Sequence, residues 1–372
     1  MSKRISIFDH VGKKAGMDYY SSSLAKGFVN QDCDVSVYSN FVGIEPSIID
    51  YVPVFEGHTL GGSVKKLFKF IRATLQASHD ARKKKADLVV LHLFSAVPVM
   101  VPLILIPKLF GLKTAVISHD VSSFTDRDSS IVQNLIYNVL TDNIIVHNQF
   151  SYETLLKSIA IKDPKKVVII KHGGYLDHIG ERPQRETVRK ELGLEPAGKY
   201  MLFFGQIKDA KGLDVLLDAM CKIPDDIKLI IAGKPWRGDF TRYGQQIESL
   251  GLTNRIVKMI RFIEDDEREK LFFSSDVNIL PYRVIFQSGV LLMAMSHGLP
   301  VIASDLPANK EIITHKENGM LFESGDADDL ARQIKTFFET GHLAGDIGKK
   351  ALETIEKDYS WGKIATQYLR LL

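Results

Sequence analysis

"PYRVIFQSGVLLMAMSHGLPVIASD", residues 281–305, places a small polar turn, Gln287-Ser288-Gly289, between an apolar run ending at Leu280 and an apolar helical run from Val290 to Ser296. The first N–H groups of a helix lack intrahelical acceptors, and the helix dipole puts partial positive charge there, so an entrance of this kind favours an anion. Val301 to Ala303 then resumes the strand pattern. Parallel sheets bind their ligands beyond the carboxyl ends of their strands, which is where this turn falls.

The same rhythm runs through the chain. In the first half it predicts strands at 4–8, 34–38, 87–91, 113–117, 143–146 and 166–170. In the second half it predicts strands at 200–204, 228–232, 255–260, 277–280, 301–303 and 320–322, with helices at 213–219, 243–250, 266–274 and 290–296. Short β-branched runs alternating with helical patterns imply parallel sheets covered by helices on both faces. A chain of 372 residues exceeds what one core supports, so two doubly wound α/β domains are expected. The polar stretch "KHGGYLDHIGERPQ" (171–184) marks the join. The boundaries are 1–175 and 176–356, with a final helix at 357–372 returning to the first domain.

With 45% hydrophobic and 25% charged residues, the composition is that of an ordinary globular protein and excludes a disordered one. Ile5 to Phe8 is too short for a signal-peptide core. The longest apolar stretch, Ala96 to Ile106, is broken by Pro98 and Pro102 and falls short of the roughly 20 residues needed to span a bilayer. Cys33 and Cys221 form no paired-thiol motif, so a reducing cytoplasm is the expected compartment.

Although the net charge is only +3, residues 64–85, "VKKLFKFIRATLQASHDARKKK", hold Lys65, Lys66, Lys69, Arg72, Arg82, Lys83, Lys84 and Lys85 against Asp80. Val64, Leu67, Phe68, Ile71 and Leu75 recur at helical spacing. This pattern suits either a solvated face over a core-directed stripe or a helix that docks on anionic lipid at the inner face of a membrane. No aromatic platform accompanies it, so nucleic acid is not an expected partner.

The first strand of the second half runs into "FFGQIKDAKGL" (203–213). Gly205 permits a sharp turn, and Lys208 and Lys211 leave the following loop where they can clamp an anion. Together with the helix entrance at Gln287-Ser288-Gly289, they point to a diphosphate site.

"FFGQIKDAKGLDVLL" (203–217), the 281–305 stretch and "ENGMLFESGDADDLARQI" (317–334) resemble the nucleotide-sugar half of the GT-B glycosyltransferases, family 4 in particular. "AGMDYYSSSLAKGF" (15–28), "ISHD" (117–120), "IIKHGGY" (169–175) and the closing "YSWGKIA" (359–365) extend the resemblance over nearly the whole chain. It implies a GT-B fold whose two Rossmann-like domains face a cleft.

The resemblance assigns the donor diphosphate to Lys208 and Lys211 and to backbone N–H groups of Ser288, Gly289 and Val290. Gly16 approaches the phosphate from the opposite side. His119 contacts the donor sugar, and Asp120 orients a ring or an acceptor hydroxyl. Phe262 and Ile263 fall where the family lodges the nucleotide base, and core packing explains them equally well.

Two departures from the family pattern stand out. Gln206 replaces the usual arginine after the first-motif glycine. Ile285 and Met293 replace the paired glutamates, which bears on donor identity and stereochemistry. His172 and His10 read as structural, although His10 could reach an acceptor.

"DRD" at 126–128 resembles the metal triplet of the other glycosyltransferase fold but lies in the wrong half. Asp326 and Asp328 read as caps of the next helix. No metal and no cofactor are expected beyond a nucleotide-diphosphate sugar as donor. The expected acceptor is a saccharide or lipid-linked saccharide. The implied activity is transfer of a hexose-type sugar with retention, in cell-surface polysaccharide or lipid-linked oligosaccharide synthesis. The alternatives are a non-catalytic module that binds a nucleotide sugar or a partner enzyme, and a sugar-nucleotide epimerase or hydrolase on the same fold.

Overall fold

In the computed structural model, which describes residues 2–14, 16–55, 64–121 and 130–372, thirteen strands form two sheets. The strands are β1 (Arg4–Phe8), β2 (Asp34–Ser39), β3 (Asp50–Pro53), β4 (Leu88–Leu93), β5 (Thr114–Ser118), β6 (Asn143–Val146), β7 (Val167–Ile169), β8 (Lys199–Phe204), β9 (Ile227–Ala232), β10 (Ile256–Met259), β11 (Val277–Leu280), β12 (Val301–Ser304) and β13 (Met320–Phe322). The order is β3-β2-β1-β4-β5-β6-β7 in one sheet and β10-β9-β8-β11-β12-β13 in the other, with every pairing parallel. The strand order of each sheet therefore reverses once, between β1 and β4 and between β8 and β11. Those reversals are the switch points at which open α/β sheets bind ligands.

The chain divides into two compact units, Met1–Gly173 with Tyr359–Leu372, and Gly174–Asp358. The breaks fall within two residues of positions 175 and 357. β3 was not anticipated. It is an edge strand ending in Pro53, with only Tyr51 and Val52 half-buried, so it carries neither alternation nor a continuous apolar run.

Central strands are buried on both faces and read as largely apolar runs, each broken by one buried polar residue, His92 in β4 and Asn278 in β11. "LVVLHL" of β4 is buried throughout, and "VNIL" of β11 likewise. The core of the first unit gathers Ile7, Leu24, Phe28, Val90, Ile117 and Ile145. The core of the second gathers Met201, Leu216, Leu229, Ile279, Ile302 and Phe337.

The last helix, Trp361–Leu369, belongs to the first unit because two glycines make room for it. A Cβ on Gly27 would lie 2.5 Å from the Trp361 carbonyl oxygen, and one on Gly173 would lie 2.2 Å from the Trp361 ring. Trp361, Ile364, Ala365 and Tyr368 are buried in consequence.

The basic segment corrects one expectation. The helix Val64–Lys83 buries Phe70, Ala73, Thr74, Ala77, Ser78 and Ala81. Of the stripe offered as either core-directed or lipid-facing, Val64 is 86%, Phe68 69%, Leu75 44% and Leu67 38% exposed, and Ile71 is half-buried, so it is not core-directed. Small residues at the buried positions let this helix pack closely on the helix Val101–Leu109, and an alanine stripe weighs little in a count of large apolar side chains. Lys84 is held by Asp50 and Asp80, both at 2.6 Å.

No helix among the described residues is long and apolar enough to cross a membrane. The described residues contain no group of three or more His, Cys, Asp or Glu side chains arranged to hold a metal ion. "DRD" at 126–128 lies outside them.

Candidate functional site

At the β8–β11 switch point of the second unit, glycines bring backbone close to backbone. Gly205 (φ 110°) ends β8, and Gly233 (φ 150°) ends β9. A Cβ on Gly233 would lie 1.9 Å from the Gly205 carbonyl oxygen, a distance no side chain tolerates. The loop then forms one turn of 3₁₀-helix, Asp209–Lys211, and closes on Gly212 (φ 63°), whose Cβ would lie 1.8 Å from the Pro281 carbonyl oxygen. The Lys208–Lys211 loop and the loop after β11 are thus in direct contact. Arg283 secures them by donating its backbone N–H to the Ala210 carbonyl and both guanidinium arms to Asp214, at 2.8 and 2.6 Å.

Both lysines are half-buried. Lys211 Nζ stands 3.6 Å from the centre of the buried Tyr282 ring, a cation–π contact that holds its charge at this end of the sheet.

The turn at Gln287-Ser288-Gly289 opens the helix Gly289–Ser296, which begins at Gly289 rather than Val290. Ser288 is its N-cap, with Oγ accepting the Leu291 N–H at 3.1 Å. The side chain therefore supports the turn, in addition to the backbone donors emphasised from the sequence. The N–H groups of Gly289 and Val290 lie in the first turn, where intrahelical acceptors do not exist.

Tyr175, which the sequence offered only as part of "IIKHGGY", is a further element of this entrance. Its backbone N–H donates to Ser296 Oγ at 2.9 Å, and its hydroxyl lies 2.8 Å from where a Gly289 Cβ would be. Ile285 is half-buried and Met293 is buried, so no carboxylate stands at either position.

Phe262 and Ile263 separate. Phe262 is 62% exposed, whereas Ile263 is 7% exposed and packs in the core. Asp326 caps the helix Ala327–Glu339 by accepting the N–H groups of Asp328 and Asp329. Asp328 does not act as a cap: its carboxylate pairs with Lys222 at 2.6 Å.

The β1–β4 switch point of the first unit is built from side chains instead. Gly16, in the left-handed conformation (φ 74°), opens the helix Met17–Val29. His119 follows β5 and is half-buried, with Asp120 half-buried beside it. Phe94 stacks on the His119 ring at 4.4 Å and 8°.

Beneath it lie groups that the sequence did not single out. His119 Nε2 is 3.0 Å from His92 Nδ1, and His92 Nε2 is 3.2 Å from Ser21 Oγ. Ser21 donates to Asp9 Oδ2 at 2.7 Å. The one available signal was a histidine inside the otherwise apolar "LVVLHL", since a fully buried polar side chain implies hydrogen-bond partners.

Tyr20 packs its ring against His92, His119, His147, His172 and Trp361. His172 Nδ1 donates to the Gly173 carbonyl, and the buried His10 packs on Phe70. Burial keeps four imidazoles neutral: it lowers His92 and His172 to about 3 and His147 to about 4, and holds His119 well below the usual range.

Comparison with known proteins bears on the fold and the family of the second unit. The family described as glycosyl transferases group 1 matches residues 184–354. An uncharacterized glycosyltransferase, MJ1607, of Methanocaldococcus jannaschii is 30% identical over 50% of this chain and 47% of its own length. A phosphatidyl-myo-inositol mannosyltransferase of Mycobacterium leprae is 29% identical over 59% of each chain. The chain thus spans about half the length of the first of these relatives and somewhat more of the second.

Among solved structures, Anabaena Alr3699/HepE in complex with UDP-glucose superposes with a TM-score of 0.78 at 19% identity, over 99% of this chain and 98% of that one. A likeness of that extent at low identity establishes the architecture. Residues 184–354 are accordingly similar to the glycosyl transferases group 1 family, on a chain whose fold is GT-B.

Proposed function

We propose that the protein is a glycosyltransferase that moves a hexose-type sugar from a nucleotide-diphosphate sugar to a saccharide or lipid-linked saccharide, without a metal and with retention of anomeric configuration. The observation that carries this reading is the pairing, at one switch point of the second unit, of the Lys208–Lys211 loop with the Ser288-capped helix entrance. Two lysines and two first-turn N–H groups lie in loops at the same end of the sheet, which suits a diphosphate that gains charge as the glycosidic bond breaks.

The exposed ring of Phe262 is available for a base. Gly16 opens a helix entrance of the same kind in the first unit. His119 takes a hydroxyl of the donor sugar, and Asp120 orients the acceptor hydroxyl. Catalysis is then mainly positioning and leaving-group stabilisation. The UDP-glucose named in the Anabaena structure supports a nucleotide-sugar donor, and the name of the Mycobacterium leprae relative supports an acceptor with a lipid part.

A binding-only module is favoured by one observation, the absence of carboxylates at Ile285 and Met293. Thermal shifts against a panel of nucleotide sugars, followed by product analysis, separate the readings. A ligand at 100 times its Kd raises stability by about 2.7 kcal/mol. The expected result is a shift with one donor that is lost when Lys208 and Lys211 are both replaced by alanine, together with turnover that retains the anomeric configuration by NMR. Binding without turnover selects the module, and an inverted product excludes retention.

A further inference from the structure

We propose that Asp9 acts as a positioning residue: through Ser21 and His92 it fixes the His119 ring with its proton on Nε2, leaving Nδ1 as an acceptor for a ligand hydroxyl. The direction of each hydrogen bond follows from the one before it. Asp9 is fully buried, and its carboxylate only accepts: Oδ1 takes the Val11 and Gly12 N–H groups at 3.0 and 2.8 Å, and Oδ2 takes the Ser21 hydroxyl at 2.7 Å.

Ser21 has one proton and gives it to Asp9, so toward His92 Nε2, 3.2 Å away, Ser21 Oγ accepts. His92 therefore carries its hydrogen on Nε2. A neutral imidazole has one N–H, which leaves His92 Nδ1 bare, and the 3.0 Å contact with His119 Nε2 then requires His119 to donate. His119 Nδ1 is the end of the chain and has no hydrogen-bond partner among the described residues.

Burial that lowers His92 to about 3 keeps a second proton off the relay at neutral pH. The parallel Phe94 ring fixes the plane of His119, so the lone pair has one direction. His147 and His172 stand outside the chain, because their Nδ1 atoms are engaged by the carbonyls of Ile170 and Gly173.

The consequence is chemical selectivity. At Nδ1 the site accepts a hydrogen bond from a hydroxyl and offers no proton to a phosphate or carbonyl oxygen. The nature of that ligand, a sugar hydroxyl, rests on the nucleotide-sugar reading above, whereas the relay does not.

Asp9→Asn tests the direction. Its oxygen can keep the two backbone N–H groups while its amide donates to Ser21, which reverses every bond. Histidine tautomers are read from long-range ¹H–¹⁵N correlation spectra of the full chain labelled with ¹⁵N-histidine, at neutral pH. The expected result is His92 and His119 in the Nε2–H form, both changing to Nδ1–H in the variant, with His147 and His172 keeping Nδ1–H as evidence that the fold persists.

If Asp9→Asn does not fold, Ser21→Ala breaks the chain in the middle, and His119 should then show a mixture of the two forms. A wild-type His119 with its proton on Nδ1, or a His119 unmoved by whichever variant folds, overturns the relay. Addition of UDP-glucose, with UDP alone as control, tests the ligand half. A shift of His119 Nδ1 with UDP-glucose only is expected. Movement of other resonances with Nδ1 still overturns that half, and a spectrum that UDP-glucose leaves wholly unchanged counts against the nucleotide-sugar reading while the tautomer result stands.

Discussion

The two units repeat one topology and furnish it differently. At its switch point, the second unit presents backbone N–H groups and lysines on a frame of close-packed glycines. The first presents a half-buried histidine whose support is a buried relay of His92, Ser21 and Asp9. A parallel sheet fixes where a ligand goes. What meets the ligand depends on whether the loops bring main chain or side chains to that place.

This contrast breaks most directly at the glycines. Gly212→Ala should destabilise the protein by about 2–6 kcal/mol, because left-handed backbone strain adds to a clash with the Pro281 carbonyl. Gly16→Ala in the first unit has a similar φ, but among the described residues the nearest atom beyond its chain neighbours is 4.0 Å from its Cβ, so the backbone strain dominates, about 1–2 kcal/mol. Denaturant titration of the two variants checks this, and equal losses would erase the distinction.

Acidification should strike the first unit harder. A histidine whose folded pKa lies below its unfolded value of 6.5 binds a proton more readily once unfolded. Its stabilising contribution is therefore complete above pH 6.5 and is lost as the pH falls from there toward the folded value. Each such group removes up to about 1.4 kcal/mol per pH unit within that window. Among the described residues, the first unit includes His92 and His172 at about 3, His147 at about 4, and His119. The second holds His297, at about 4, and His315. Hydrogen exchange followed at pH 7 and pH 5 should show protection falling first in residues 2–173, and uniform loss would count against the relay's neutral, buried setting.

A smaller effect concerns two amphipathic helices. Ala327–Glu339 of the second unit buries its apolar stripe of Leu330, Ala331, Ile334 and Phe337, whereas Val64–Lys83 of the first leaves Val64, Leu67 and Phe68 outside among Lys65, Lys66, Lys69 and Arg72. If the second arrangement serves an anionic lipid surface, replacing those four basic residues by glutamine should weaken sedimentation with anionic vesicles by about 1 kcal/mol per residue, with no change in thermal stability. Unchanged sedimentation would return the helix to a merely solvated role.

Several of these features were legible in the sequence because they are local. β1, β6, β11 and β13 were placed at their observed ends, and Ser288 and Asp326 announced helix starts through a small or acidic residue before an apolar run. Other features were hidden because they depend on direction. Phe262 and Ile263 are adjacent in the chain, yet one faces solvent and the other the core. The buried face of Val64–Lys83 consists of alanine, serine and threonine beside Phe70, so the larger apolar residues marked the wrong side.

What the sequence by itself determined is therefore the alternation of strands and helices, the two units, and the placing of Gly205, Lys208, Lys211, Ser288 and Gly289 at the β8–β11 switch point, all of which follow from backbone propensities and short-range spacing. Only the tertiary structure decided that Asp9, Ser21, His92 and His119 form a single chain. Those residues come from the end of β1, the helix Met17–Val29, β4 and the end of β5, and hydrogen bonding among them arises only when parallel strands distant in sequence are laid side by side.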